Sequence, residues 1–237
     1  MINSDDITVP QDPRLKQIIA ALETQANPDN VKGMARFGIN PANAFGVKMP
    51  FLRQLAKELG KDHALAQALW ETNIRECRIL AAYVDDPPQV TQEQLEAWVR
   101  DFDTWEACDN TITHLFQKTP FAFPKALEWA EREEEFVKRA GYVMMARIAV
   151  ADKKAKDEDF EPFYPLIVTG ATDERNFVKK AVNWALRQIG KRNLALNRKM
   201  LALAREIRKL DSKAARWVAA DAIRELEDKK LQRRLEK

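Results

Sequence analysis

The chain is 237 residues long, 46% hydrophobic and 32% charged, with a formal net charge of +3. That length suits one domain or one continuous array, and the hydrophobic share supports a buried core and excludes wholesale disorder. Glycine is scarce, with 7 residues in all, which argues against glycine-turned sandwiches and barrels and against Gly-rich phosphate loops.

Helical periodicity dominates the chain from end to end. Residues 13–26 read as a helix opened by Pro13, because proline is tolerated in the first turn. A second helix follows Pro50 and stops at Gly60, a C-terminal cap. Further helices are expected over 62–71, 74–84, 91–100, 103–117, 122–133, 135–150, 157–169, 173–189, 193–209 and 212–226. Thr91 with Gln94 has the spacing of a capping box. Pro87, Pro88, Pro120 and Pro162 fall near helix ends, as breakers do. No strand is convincing, and no linker divides the chain, so residues 1–237 are read as a single domain with 1–12 as a loosely ordered extension.

No run of about 18 apolar residues is present, so no membrane span is expected. The acidic start, Met1 to Asp6, lacks the apolar segment of a signal peptide. Cys77 and Cys108 are far apart and form no CxxC pair, which fits a reducing cytoplasm. With His63 and His114 they make none of the usual zinc sets, so neither a metal nor a cofactor is expected. Cys77, His63 and His114, like Met144 and Met145, read as packing or surface positions.

The charge is unevenly spread. Lys179 to Lys237 holds 18 basic and 7 acidic residues, a net of +11, which leaves the remainder at −8. Such asymmetry fits either solvated helix faces or a polyanionic partner for the basic segment. Internal repetition favours a stacked array over a bundle. Phe136-Val137-Lys138-Arg139-Ala140 matches Phe177-Val178-Lys179-Lys180-Ala181 at an offset of 41. Lys180-Ala181-Val182-Asn183-Trp184 matches Lys213-Ala214-Ala215-Arg216-Trp217 at an offset of 33. These are the periods of two-helix solenoid units. Arg139, Lys180 and Lys213 then share one slot in three successive units, along one concave surface.

Helix faces single out a few residues. Val178, Val182, Ala185 and Ile189 form the core stripe of one helix, while Lys180, Trp184, Arg187 and Lys191 lie on its other side. That second stripe is either a cation–π surface patch or a binding face with cations for phosphates and a flat ring for a sugar or base. Trp105, Asp109, Ile112 and Phe116 share a stripe, so Asp109 sits at an apolar edge one turn after a tryptophan. A carboxylate there is either a structural partner of a nearby cation or amide, or a group held ionised beside developing positive charge. Arg139 shares a stripe with Val143, Ala146 and Val150. It is either a buried ion-pair partner, Asp109 being one candidate, or a phosphate ligand.

Trp105 with Asp109, then Arg139, then Trp184 with Arg187, resembles the pattern of the AlkD-type DNA glycosylases of the DNA alkylation repair family. The matching segments are Met34-Ala35-Arg36-Phe37, Asp103-Thr104-Trp105-Glu106-Ala107-Cys108-Asp109, residues 136–140 and residues 177–187. The resemblance implies an all-α fold: an α-α superhelix, or solenoid, of HEAT-like helical repeats, C-shaped, with a basic concave face around duplex DNA. It implies a glycosylase that hydrolyses the N-glycosidic bond of N-alkylated purines such as N3-alkyladenine and N7-alkylguanine, acting as a monomer on double-stranded DNA. Asp109 would be the catalytic carboxylate, Trp105 and Trp184 the aromatic walls, and Arg139 the grip on the backbone. Lys180, Arg187, Lys191, Lys213, Arg36 and Phe37 would contact DNA. The chain departs from the pattern at Phe37, where a tyrosine is expected, and at Thr104, where a tryptophan is. The alternative readings are a non-catalytic helical-repeat protein that binds damaged or unusual DNA, and a protein-binding scaffold. The basic segment and the setting of Trp184 count against the scaffold.

Overall fold

A computed structural model describes residues 13–236, and among them the chain is helical with no strand. Residues 1–12, read from sequence as an extension, lie outside the described residues. The chain gathers into two compact units, one ending at Thr119 and the other starting at Pro120.

The first unit holds α1 (Pro13–Thr24), α2 (Pro28–Met34), α3 (Met49–Leu59), α4 (His63–Glu71), α5 (Arg75–Val84), α6 (Gln92–Arg100) and α7 (Trp105–His114). Helix α5 packs on α3, α4 and α7. Short polar side chains start several helices by accepting the orphan N–H groups of the first turn. Asp62 accepts from Leu65, Thr91 from Gln94 and Thr104 from Ala107. Thr104, where the family pattern leads one to expect an aromatic residue, is therefore the N-cap of α7. The capping box at Thr91 forms by half, because the Gln94 amide turns instead to Asp85 Oδ2, 2.6 Å away. Gly60 ends α3 at φ 70°, returning its N–H to Ala56, a backbone state that favours glycine.

A buried carboxylate organises the loop between α2 and α3. Glu76, in the first turn of α5, is fully buried. Its Oε2 accepts from Phe45 N at 3.0 Å, and its Oε1 accepts from Gly46 N at 2.9 Å and Val47 N at 3.2 Å. Arg75 donates to the same Oε1 at 2.8 Å, and its other guanidinium N–H groups grip both oxygens of Glu106 at 2.6 Å. The charge is thus paired and its lone pairs satisfied, the condition under which an ion pair survives burial.

The second unit holds α8 (Ala122–Ala130), α9 (Glu135–Ala151), α10 (Phe163–Gly170), α11 (Asn176–Gly190), α12 (Leu194–Arg208), α13 (Lys213–Leu226) and α14 (Lys229–Leu235). Helix α9 lies between α8 and α11, and α11 packs on α12 and α13. Helix α9 is buried along most of its length, including Met144 and Met145. Gly141 lets α8 come close, since a Cβ there would stand 2.4 Å from Ala130 N. The offset of 41 is a physical contact: Phe136 and Phe177 rings lie 5.5 Å apart, and the flanking pairs Val137/Val178 and Ala140/Ala181 are all buried. Side chains also reach across helices to backbone carbonyls. Arg139 Nη1 donates to Phe177 O at 2.6 Å, Tyr142 Oη to Leu166 O at 2.9 Å and Asn183 Nδ2 to Val218 O at 3.0 Å.

Helix boundaries differ from expectation where backbone chemistry intervenes. The helix read over 157–169 is a short 3-10 turn, Asp157–Phe160, followed by α10, with Pro162 between them removing a donor. The helix read over 103–117 ends at His114, because Leu115 leaves helical geometry at φ −126° and ψ −71°. Helices α2 and α14 were not anticipated. Both open on a capping side chain, Asn27 and Asp228.

Candidate nucleic-acid interface

In the first unit, four of the residues singled out from sequence fall on two neighbouring elements. Arg36 and Phe37 lie in a 3-10 turn, Ala35–Phe37, closed by Gly38. Trp105 and Asp109 lie on α7. Phe37 is 67% exposed, and its carbonyl accepts from Trp105 Nε1 at 2.6 Å. This bond joins positions 68 apart in sequence and fixes the indole plane. The contact uses the backbone of residue 37, so it does not need the tyrosine hydroxyl of the family pattern. Asp109 is half-buried one turn after Trp105. Ile112, on the same stripe, and Cys108 beside it are fully buried, as are Leu115 and Phe116 after the helix end, so Asp109 stands at the edge of a buried face.

A polar recess lies beside this pair, lined by Asn40, Asn73, Arg75, Arg78, Glu106 and Asn110 among others. Burial pushes the Arg78 guanidinium down from its ordinary value, and its plane lies over Trp70 at 4.9 Å. Burial also acts to lower Arg75, but the bonds to Glu106 and Glu76 outweigh it and hold it above the ordinary value. Trp105 and Asp109 are not among the lining residues.

In the second unit, the stripe opposite the core of α11 is as expected in composition but not in charge state. Val178, Val182, Ala185 and Ile189 are fully buried, while Lys180 is exposed and Trp184 half-buried. Arg187 and Lys191, however, share one carboxylate. Arg187 Nη1 bonds to Glu225 Oε2, with Asp221 at 3.8 Å from its Nε, and Lys191 Nζ bonds to Glu225 Oε1 at 2.6 Å. Burial acts to raise the Glu225 carboxyl, but the bonds from Lys191 and Arg187 win and hold it below the ordinary value. Gln188 completes the group. With its amide oxygen facing both donors, it accepts from Trp184 Nε1 at 2.9 Å and from Lys191 Nζ at 3.0 Å. Trp184 is therefore held by its indole N–H, as Trp105 is in the first unit.

Arg139 and Lys180 share a repeat slot but not an environment. Arg139 is 6% exposed and bonded to the Phe177 carbonyl, whereas Lys180 faces solvent. Lys213, at the first position of α13, is exposed. Beside it Trp217 is 41% exposed, with Lys179 Nζ 5.7 Å from its ring.

Sequence reasoning missed Glu225, Asp221 and Gln188, which decide how much positive charge α11 presents. A signal existed: Glu225 and Asp221 stand 38 and 34 residues beyond Arg187, one repeat period away. Among the described residues, no three His, Cys, Asp or Glu side chains gather as a metal-binding group. None of the described helices is long and apolar enough to cross a membrane.

The chain matches the DNA alkylation repair enzyme family over residues 18–226. Two uncharacterized proteins, of Listeria innocua and Listeria monocytogenes, are 28% and 26% identical to it over 130 residues. That stretch is 53% of this chain and 58% of each relative, so the chain spans little more than half the length of these curated relatives. A solved structure from a family related to the HEAT-like repeat DNA glycosylases, with affinity for branched DNA structures, superposes with a TM-score of 0.72. It covers 88% of this chain and 94% of its own at 17% identity, a likeness of fold.

Proposed function

This chain belongs to the DNA alkylation repair enzyme family, and from that premise we propose that it is a DNA glycosylase that releases N-alkylated purines, such as N3-alkyladenine and N7-alkylguanine, from duplex DNA. The observation that carries the reading is on α7. Trp105, locked by its N–H to the Phe37 carbonyl at 2.6 Å, precedes by one turn a half-buried carboxylate, Asp109.

The chemistry suits that pair. Alkylation places positive charge on the purine, so the N-glycosidic bond breaks with its electron pair moving to the base, which leaves neutral and needs no acid. The sugar left behind has oxocarbenium character, as in glycoside hydrolysis. Asp109 stabilises that cation electrostatically and orients the water whose oxygen bonds to the anomeric carbon, with loss of a proton. An indole face adds about 1–2 kcal/mol of cation–π stabilisation when desolvated. Family likeness extends the proposal to Trp184 as a second aromatic wall and Arg139 as the backbone grip. Lys180, Lys213, Arg36 and Phe37 are assigned DNA contacts, and Arg187 and Lys191 join them once drawn away from Glu225.

The test is release of free base from DNA treated with a methylating agent. Wild type releases alkylpurine, and Asp109→Asn loses about 100-fold or more of the rate, the scale of one electrostatic group at a transition state, while binding DNA equally well. No release by wild type, with salt-sensitive DNA binding intact, would sink the glycosylase.

A second reading has one observation in its favour. The superposed solved structure comes from a family with affinity for branched DNA, so a non-catalytic binder of damaged or unusual DNA structure also fits this fold. Under that reading a four-way junction outcompetes duplex of equal length, and Asp109→Asn changes nothing.

A further inference from the structure

The second unit carries a pocket outside the aromatic and carboxylate positions discussed so far. It is a cavity of about 500 Å³ between the end of α9 and the turn joining α11 to α12, lined by Lys153, Gln188, Lys191, Arg192, Asn193 and Arg234, with Ala149 and Val150 as its apolar part. Four of its lining residues are cations and none is acidic.

The four cations are not equally engaged. Arg192 is structural: its Nη atoms bond the carbonyls of Ala149, Asp152 and Ala155 at 2.6, 2.8 and 2.9 Å. It thereby covers the negative end of α9, which would otherwise repel an anion. Its Nε is buried with no acceptor among the described residues, a cost unless something supplies one. Lys191 is held by Glu225 and Gln188, with one of its three N–H donors left over. Lys153 and Arg234 are exposed, and among the described residues neither is paired with a carboxylate. The turn itself is firmly held. Asn197, 1% exposed, donates to the carbonyls of Gly190 and Leu226 at 3.1 and 3.2 Å. Asn193 caps α12, a helix of 15 residues, by accepting from Leu196 N at 2.8 Å, and its own amide N–H donates to Asp157 Oδ1 at 2.7 Å, outside the lining.

We propose that this pocket is a binding site for a phosphate group, carried either by a nucleic-acid strand or by a free polyphosphate. The cavity exceeds a single phosphate, Lys191 keeps one N–H donor to spare within it, and the two exposed cations at the rim, Lys153 and Arg234, close on the anion. Gln188 bonds both Lys191 in the pocket and Trp184 outside it, so occupation of the pocket is felt at that indole. The site stands independently of the glycosylase reading.

The experiment titrates the full chain with pyrophosphate by calorimetry at low ionic strength. Wild type binds it saturably. The double variant Lys153→Ala/Arg234→Ala binds about tenfold or more weakly, as expected for two lost phosphate contacts. Lys199→Ala, which removes a cation that does not line the pocket, matches wild type, and thermal unfolding confirms that the variants fold. A fluorescently labelled duplex oligonucleotide then separates the sources. If pyrophosphate competes with duplex, and the double variant lowers the salt slope of duplex binding by about two, the phosphate belongs to a strand. If pyrophosphate binds but duplex binding is untouched by the double variant, the ligand is a free polyphosphate. Equal affinity of the double variant and wild type for both probes, or no saturable binding of either, overturns the site.

Discussion

Glu76 offers the sharpest test of how the first unit is held. Its two oxygens are used unequally: Oε1 serves Gly46 N, Val47 N and Arg75, while Oε2 serves Phe45 N alone. Glu76→Ala strands three backbone donors and removes one of the two carboxylate partners of Arg75, so it should cost about 3–5 kcal/mol, the scale of breaking a buried pair. Glu76→Gln can keep its carbonyl oxygen in the place of Oε1. Its NH2 group then faces the Phe45 N–H, donor against donor. One orphaned buried donor costs about 1–3 kcal/mol, so the glutamine variant should fall between wild type and alanine. Urea unfolding at neutral pH, followed by tryptophan fluorescence, measures both. A glutamine variant within about 0.5 kcal/mol of wild type, the range of an ordinary surface change, would show that the charge and the second oxygen do not hold the loop.

Gly141→Ala should destabilise the second unit by about 1–3 kcal/mol through overpacking, less up to about 1 kcal/mol of gained helix propensity. The clash is with backbone of Ala130 and Trp129, which no rotamer change relieves, and a thermal midpoint at or above wild type would refute it. Glu225→Gln should release Arg187 and Lys191, so duplex DNA binding tightens at low salt and its salt dependence steepens; fluorescence anisotropy across a salt series reads both. The same variant tests the pH behaviour. The folded Glu225 carboxyl lies below its ordinary value, so its stabilising contribution is complete above that ordinary value and is lost as pH falls through the lowered one. The stability gap between wild type and Glu225→Gln should therefore narrow from pH 7 toward pH 3, and a gap that widens would contradict the assignment. Burial pushes the Cys77 thiol up to about 12, and Cys108 is buried as well. Neither should react with a thiol reagent at pH 8 until urea unfolds the chain, and prompt labelling of the native protein would contradict this burial.

The fold was legible where periodicity carries information. The core stripe of α11 and the near-total burial of α9 follow from apolar spacing alone, and the offset of 41 matched two segments whose phenylalanines touch. Short helices were harder. Helix α2 has 7 residues and only one buried side chain, Met34, so its capping residue Asn27 and Pro28 in its first turn were the usable marks. On α7 the half-burial of Asp109 follows from the apolar stripe, while the capping by Thr104, which starts the helix at Trp105, went unread. What the sequence withheld was pairing at a distance. A stripe of like charge says nothing about which carboxylate stands opposite it, so Arg187 and Lys191 read as open cations although Glu225 binds both. For the same reason Glu76 passed unnoticed: a lone glutamate on a helix reads as solvated, and its backbone partners lie 29 to 31 positions away.

The bonds from Arg139, Tyr142 and Asn183 all end on main-chain carbonyls of another helix. A carbonyl is supplied by every residue type, so each such link constrains the donor position and leaves the acceptor position at liberty. The hydrogen bonds themselves do not depend on the identity of residues 166, 177 and 218, although the Phe177 ring also packs on Phe136 and Val218 is buried. An array fastened this way keeps its helices in register while the acceptor half of each hydrogen bond is indifferent to side-chain identity. Its sequence can wander far before its architecture does, which is the relation between this chain and a solved structure that shares its fold at 17% identity.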